Sequence, residues 1–387
     1  MWGRKKEEKP KLPVYLVTGE SGMIGSAIVE ALEAKQRFVL RLTTGDAEYF
    51  TNQFYQSRFN PMRIVKNREV DICCSDNIDH WDKRLDDVDL DRPLVIIHTA
   101  AYVNTDKCDE DPYIATKVNV TGTQHMIDLW RRQWNKGRDV YFIYFSTTAV
   151  FDPNEYMTYI TPGDFHENSR IDPKTLYGLT KYQGEMAVKQ SIPKGKLLVI
   201  KPVFVYGDEP QDNSSQIRKI LTAIHTDEPH CVTLNRNGYK DYFRIEYFTE
   251  MFMKMIDVLE HSELKSTTKV IMFHWQDFIL ARGRAATFQR YLEIIKLVTG
   301  KDPFDYITLD EDADYLRDHC PKPVRYENVF GPAPFSSKDV YDNHIGIMKT
   351  WVSIQKEAEA SRTYNMTTTD LAGLSVSGAF IDVRPSQ

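Results

Sequence analysis

Apolar residues along this chain fall into two patterns, short unbroken runs and stripes at helical spacing. The first run, Val14-Tyr-Leu-Val17, predicts a buried parallel strand. Gly19, Gly22 and Gly25 follow at i, i+3 and i+6, and Ile24, Ile28 and Leu32 then recur every four residues, the core-facing stripe of a helix. Phe38-Val-Leu-Arg-Leu42 predicts a second strand and residues 70–76 a third, ending at Asp76. The strongest run, Leu94-Val-Ile-Ile-His-Thr-Ala-Ala101, ends in small residues. Val140-Tyr-Phe-Ile-Tyr-Phe145 and Leu197-Leu-Val-Ile200 predict two more strands, and residues 112–135 and 176–190 predict helices. Strands alternating with helices give an α/β fold, a doubly wound parallel sheet. Right-handed crossovers then bring the strand C-termini, and with them Gly22, Ala101 and Thr147, to one edge.

Beyond Pro202 the pattern loosens. Helical stripes over 251–259 and 287–297, separated by prolines and charged loops, predict a smaller C-terminal, substrate-binding lobe that covers the sheet edge. The expected organisation is a charged arm over 1–12, a dinucleotide-binding Rossmann domain over 13–201, a lobe over 202–361 that interleaves with it, and a tail over 362–387. The polar and aromatic stretch between Asp46 and Val70 reads as an insertion.

Composition narrows the classes. The 387 residues, 42% of them hydrophobic, suffice for a sizeable core. A net charge of -6 argues against nucleic-acid binding by general electrostatics. Five cysteines, an odd number with no Cys-x-x-Cys pair, indicate neither a disulfide framework nor a zinc ribbon and fit a reducing cytoplasm. The expectation is therefore a cytoplasmic protein, with no membrane partner because no apolar run is long enough to span a bilayer. No metal is expected: the acidic run Asp310, Glu311, Asp312 and Asp314 contains no histidine and reads as a solvated loop.

Two constellations carry chemistry. Strand, glycine turn and helix in succession form a dinucleotide site, where glycines admit the pyrophosphate and the helix N-terminus offers unpaired N–H groups. The end of the second strand selects the cofactor, an acid favouring NAD and a base NADP. Here Thr43 or Thr44 holds that slot, with Arg41 just before and no acid until Asp46, which leans toward NADPH unless Arg41 is only a surface strand residue. Asp76 is placed either to meet the adenine amino group or to cap the segment after it. His98, inside the strongest apolar run, reads as a core histidine rather than a catalyst. Tyr177 and Lys181 lie four apart in a helix and share a face. The ammonium is expected to favour the phenolate, which makes the hydroxyl a usable acid. Thr147, with Ser146 or Thr148 as substitutes, is positioned to hydrogen-bond the same substrate oxygen.

Thr18-Gly-Glu-Ser-Gly-Met-Ile-Gly25, Ser146-Thr-Thr-Ala-Val-Phe-Asp152 and Tyr177-Gly-Leu-Thr-Lys181 together resemble the extended short-chain dehydrogenase/reductase (NAD-dependent epimerase/dehydratase) superfamily. Within it the likeness is closest to the dTDP-4-dehydrorhamnose reductase group, through residues 99–112, Asn119-Val-Thr-Gly-Thr123, residues 176–185 and Lys201-Pro-Val-Phe-Val-Tyr-Gly207. It covers roughly residues 13–357. The resemblance implies an NADPH- or NADH-dependent enzyme acting on a nucleotide-diphosphate sugar. Tyr177 would be the general acid, Lys181 would bind the cofactor ribose, and Thr147 would polarise the C4 carbonyl. It assigns to the cofactor the loop residues Gly19, Ser21, Gly22, Met23, Ile24 and Gly25, then Arg41, Thr43, Asp76, Ala100, Ala101, Tyr102, Asn119 and Pro202. It assigns Asp106, Thr148 and Phe204 to the substrate. Thr148 and Ala149 replace the group's usual Asp and Tyr, and Phe204 replaces a tryptophan, so the sugar is open. The leading expectation is reduction of a 4-keto-6-deoxy nucleotide sugar. An epimerase on the same scaffold is the near alternative; a dehydratase ranks lower, since Thr148-Ala149 supplies no acids. A non-catalytic module like the regulatory subunit of methionine adenosyltransferase is the alternative of another class. A homodimer follows by analogy alone.

Overall fold

The computed structural model describes residues 11–42, 71–152, 164–207, 215–232, 238–261, 267–309, 319–332 and 345–360. Thr43, Thr44, Asp46, the segment read as an insertion, the acidic run at 310–314 and the tail from 361 lie outside them. β1 (Val14–Thr18), β2 (Phe38–Leu42), β3 (Leu94–His98), β4 (Val140–Phe145) and the strands Leu197–Pro202 and Asp277–Leu280 make one six-stranded sheet. All its pairings are parallel, and its order from one edge is Asp277–Leu280, Leu197–Pro202, β4, β3, β1, β2. The chain runs outward from β1 to β2, then crosses back to β3 on the other side of β1. A crevice opens beyond the strand C-termini where the order reverses in this way. The outermost strand, Asp277–Leu280, comes from the stretch assigned to the second lobe.

The sheet is covered on both faces, which explains why its strands read as continuous apolar runs. In β1, Tyr15 and Val17 face one core, with Ile28, Val29 and Leu32 of α1 (Met23–Ala34) and Phe248, Met251 and Phe252 of the helix Ile245–Glu260. Val14 and Leu16 face the other, with Ile78, Trp81 and Leu85 of the helix Ser75–Asp86 and Met126, Leu129 and Trp130 of the helix Thr123–Asn135. A third cluster gathers Ile217, Leu221, Tyr242, Tyr291, Leu292 and Ile347 from the C-terminal part of the chain. Among the described residues no helix is long and apolar enough to cross a membrane.

Two expectations about elements change. Residues 71–74 form a turn, not a strand, and Ser75–Asp86 is a helix. Ile72 is buried there singly, and the apolar positions that follow, Ile78, Trp81 and Leu85, keep helical rather than alternating spacing. The helix expected over 112–135 is three segments: Pro112–Thr116, a π-helical stretch Lys117–Gly122, and Thr123–Asn135.

Candidate active site

The glycine loop owes its shape to contacts that no side chain would permit. Gly19 sits at φ +69°, and a Cβ there would lie 2.6 Å from the backbone nitrogen of Ala100. A Cβ on Gly25 would lie 2.2 Å from the Gly19 carbonyl oxygen, so only glycine lets α1 start against the loop. Gly22 is the N-cap of α1; no side chain caps the helix, and no acid stands in its first turn. The first N–H groups of α1 are thus left for an outside acceptor, at the positive end of the helix dipole. A cradle of this kind fits a pyrophosphate.

The ends of β1 and β3 are tied together beside the loop. The Ala100 N–H donates to Thr18 Oγ1 at 3.1 Å, and the Thr99 hydroxyl donates to the Thr18 carbonyl at 2.5 Å. His98 lies between Thr18 Oγ1 at 2.8 Å and Thr123 Oγ1 at 3.1 Å. Burial, helped by the nearby positive Lys181, pushes its imidazole down to about 3, so it is a neutral core residue. Asn119 projects from the π-helical stretch and binds both polar groups of the Tyr102 backbone: its Oδ1 accepts from the N–H at 2.7 Å, and its Nδ2 donates to the carbonyl at 3.1 Å. Nδ2 also donates to Thr180 Oγ1 at 3.0 Å. Asn119 therefore positions the loop after β3, and its own side chain is buried behind the cavity.

Tyr177 and Lys181 stand on the helix Leu176–Ser191, which Thr175 caps by accepting from the Gly178 N–H. Gly184 allows this helix to touch β4 and the π-helical stretch, since a Cβ there would lie 2.4 Å from the Tyr144 hydroxyl. Thr147 follows β4 and its Oγ1 accepts from the Ala149 N–H at 3.1 Å; it is not in the cavity lining, where Ser146 stands instead. Burial raises the Tyr177 phenol to about 12, against the lowering effect of the Thr147 contact. This corrects the expectation that Lys181 draws the phenol down. Lys181 is itself desolvated, with its Nζ 4.5 Å from the Tyr144 ring centroid, and burial brings it down to about 7 although Glu185 opposes the fall.

A cavity of about 440 Å³ joins these parts. Gly19, Ser21, Gly22, Met23, Ile24 and Gly25 line it on the side of β1. Ala100, Ala101 and Tyr102 line it after β3, and Ser146, Tyr177, Lys181 and Pro202 close the far end. Asp76 does not reach it. That residue is exposed in the first turn of Ser75–Asp86, where a carboxylate meets the helix dipole. Asp71, Ile72 and Cys73 line the cavity in its place. The signal that would have found them is the amphipathic stripe from Ile78 onward, which moves the loop back to residue 71. Arg41 is absent from the lining and is held by Glu33 and Glu20. Asp106 is exposed in the helix Thr105–Glu110. Thr148 is buried, 2.9 Å from His319 Nε2, and the Phe204 ring packs 5.0 Å from the His319 ring and 5.5 Å from Tyr242. None of these three substrate candidates lines the cavity.

Residues 14–229, more than half of the chain, match the RmlD substrate binding domain. The chain belongs to that family. Among curated relatives, RmlD-family likeness extends to the probable low-salt glycan biosynthesis reductase Agl14 of Haloferax volcanii, 29% identical over 49% of this chain and 53% of the relative. The chain thus spans about half the length of that protein. It is also similar to the dTDP-4-dehydrorhamnose reductase of Aggregatibacter actinomycetemcomitans, 24% identical over 64% of this chain and 79% of the relative. The fold is that of a dTDP-4-dehydrorhamnose reductase from Clostridium acetobutylicum, with a TM-score of 0.60 at 16% identity, over 86% of this chain and 98% of that one. This RmlD-family member is accordingly an extended short-chain dehydrogenase/reductase with a Rossmann-type sheet.

Proposed function

We propose that the protein is an NAD(P)H-dependent reductase that converts the C4 carbonyl of a nucleotide-diphosphate 4-keto-6-deoxy sugar to the alcohol. The reading is carried by one observation: a single cavity is lined by an uncapped glycine-loop helix and by Tyr177 and Lys181, with Ser146, the neighbour of Thr147 in the chain, in its wall. Gly19, Gly22 and the first N–H groups of α1 would hold the pyrophosphate, Asp71 and Ile72 would flank the adenosine, and Lys181 would bind the ribose next to the nicotinamide. The dinucleotide supplies the hydride when bound.

The residues of the chain do the rest. The Tyr177 phenol, raised to about 12, keeps its proton near neutral pH and donates it to the oxygen left negative at C4. Thr147 orients that phenol and hydrogen-bonds the same oxygen. Lys181, near 7, is poised to carry charge according to its neighbours. Ala100 and Ala101 leave room for the cofactor to lie against the loop after β3.

The test is optical: oxidation of NADPH and of NADH with a panel of 4-keto-6-deoxy nucleotide sugars. Turnover on one of them should fall by about 10²–10⁴-fold in Tyr177→Phe, with dinucleotide binding kept. Dinucleotide binding without turnover on any sugar would reject the reductase reading in favour of an epimerase or a non-catalytic module.

A further inference from the structure

The cavity has a polarity that fixes which end takes which part of a dinucleotide. The reacting end must lie at Tyr177 and Lys181, so the adenosine ribose belongs at the opposite end, where Leu42, Gly19 and Ser21 form the wall. Directly behind that wall is a charged cluster. Arg41, the residue before Leu42, directs its Nε and one terminal nitrogen to the Glu33 carboxylate of α1 and its other terminal nitrogen to Glu20 Oε2 at 3.3 Å. Glu20 stands between Gly19 and Ser21 in the loop itself and is only 6% exposed. Its carboxyl is raised by burial, and Glu33 adds to the rise while Arg41 opposes it. Glu30, one turn before Glu33, also feels Arg41 and Glu33.

We infer that Glu20 and Glu33 make this site select NADH over NADPH by occupying the guanidinium that, among the described residues, stands at the ribose end, and by surrounding it with excess negative charge. The inference rests on the nucleotide-site reading above. Basic side chains bind a 2′-phosphate through charge-assisted N–H contacts. Here each guanidinium nitrogen of Arg41 already faces a carboxylate, and two carboxylates stand against one cation. A 2′-phosphate would bring roughly two more negative charges to a partly desolvated cluster. A 2′-hydroxyl brings none. The arginine that in the bare sequence leans toward NADPH is thereby turned against it.

The experiment is titration of the purified full-length protein with NADH and with NADPH, read by nucleotide fluorescence and needing no sugar. The wild type should bind NADH tighter by about tenfold or more. Glu20→Gln should bring the two dissociation constants together, chiefly by tightening NADPH. Glu33→Gln, at a more exposed site, should act the same way and carries the test if the loop variant does not fold. NADPH bound as tightly as NADH by the wild type, or an unchanged ratio in both variants, would overturn the inference. Binding of neither dinucleotide would instead remove the nucleotide site on which it depends.

Discussion

Two clusters of charge flank the cavity, and they are built on opposite principles. At the reacting end, Glu185 and Lys201 are almost wholly buried and 2.9 Å apart. Lys189 and Asp277 complete a ring, with Lys201 and Lys189 each bonded to both carboxylates, and Arg325 stands 3.8 Å from Asp277 outside it. The Ser146 hydroxyl, in the cavity wall, donates to Glu185 at 2.6 Å. At the ribose end, Arg41 alone among the described residues faces Glu20 and Glu33. The first cluster is closed and has no surplus of acid, so its carboxylates are satisfied within it and hold the helix Leu176–Ser191 to two strands. The second is unbalanced and lies against the loop, so its surplus charge remains available to act on a ligand. Position relative to the cavity, and not the number of ion pairs, separates a positioning device from a selecting one.

The closed cluster should be the more fragile. Lys201→Met leaves Glu185 and Asp277 short of a cation and is expected to destabilise the fold by about 3–5 kcal/mol, read as a fall in urea midpoint. An effect no larger than that of Arg41→Leu would erase the distinction between the two clusters. Lys181, one helical turn before Glu185, sharpens the contrast, because burial has lowered it from 10.5 to about 7. A lysine whose value falls on folding weighs against the folded state most below its folded value. That burden fades as pH rises from about 7 toward 10.5. Lys181→Met should therefore stabilise the protein by about 1 kcal/mol or more at pH 7 while abolishing turnover, and the gain should shrink by pH 10 in paired thermal melts. The smallest effect is expected from Arg41→Leu, about 0.5–1 kcal/mol, since the Glu33 carboxylate can turn to water and the buried Glu20 carboxyl, already raised by burial, can take up a proton. Its signature should lie in cofactor affinity rather than in the melt.

Much of this architecture is legible in the chain because the sheet is buried on both faces. β2 and β4 coincide with the apolar runs at 38–42 and 140–145, and the helix bearing Tyr177 and Lys181 ends within a residue of its expected limit. The glycine loop is legible because its spacing is imposed by backbone contacts. Asp71 was hidden by the apolar stretch around it, which mimics a strand until the stripe Ile78, Trp81, Leu85 is counted. The strand Asp277–Leu280 carries the apolar run Phe278-Ile-Leu-Ala281, but it follows the helix Thr267–Trp275 so closely, in a stretch of loosened pattern, that the run does not stand out. The partners of Arg41 are 8 and 21 residues away, so no local pattern announces that the guanidinium is taken. Desolvation of Tyr177 and Lys181 is likewise a property of what packs around them, and spacing four apart conveys only that they share a face.

That last strand has a consequence for how the molecule is made. Leu197–Pro202 emerges from the ribosome well before Asp277–Leu280, which pairs along it and supplies the Val199 N–H with an acceptor at Gln276. During the interval the growing sheet presents an open row of backbone groups, and Lys201 waits without Asp277. A nascent chain stalled there would be prone to pair with its neighbours. A fragment cut before residue 277 would keep that edge open, and would lack both the partner strand of Leu197–Pro202 and the carboxylate that Asp277 gives Lys201.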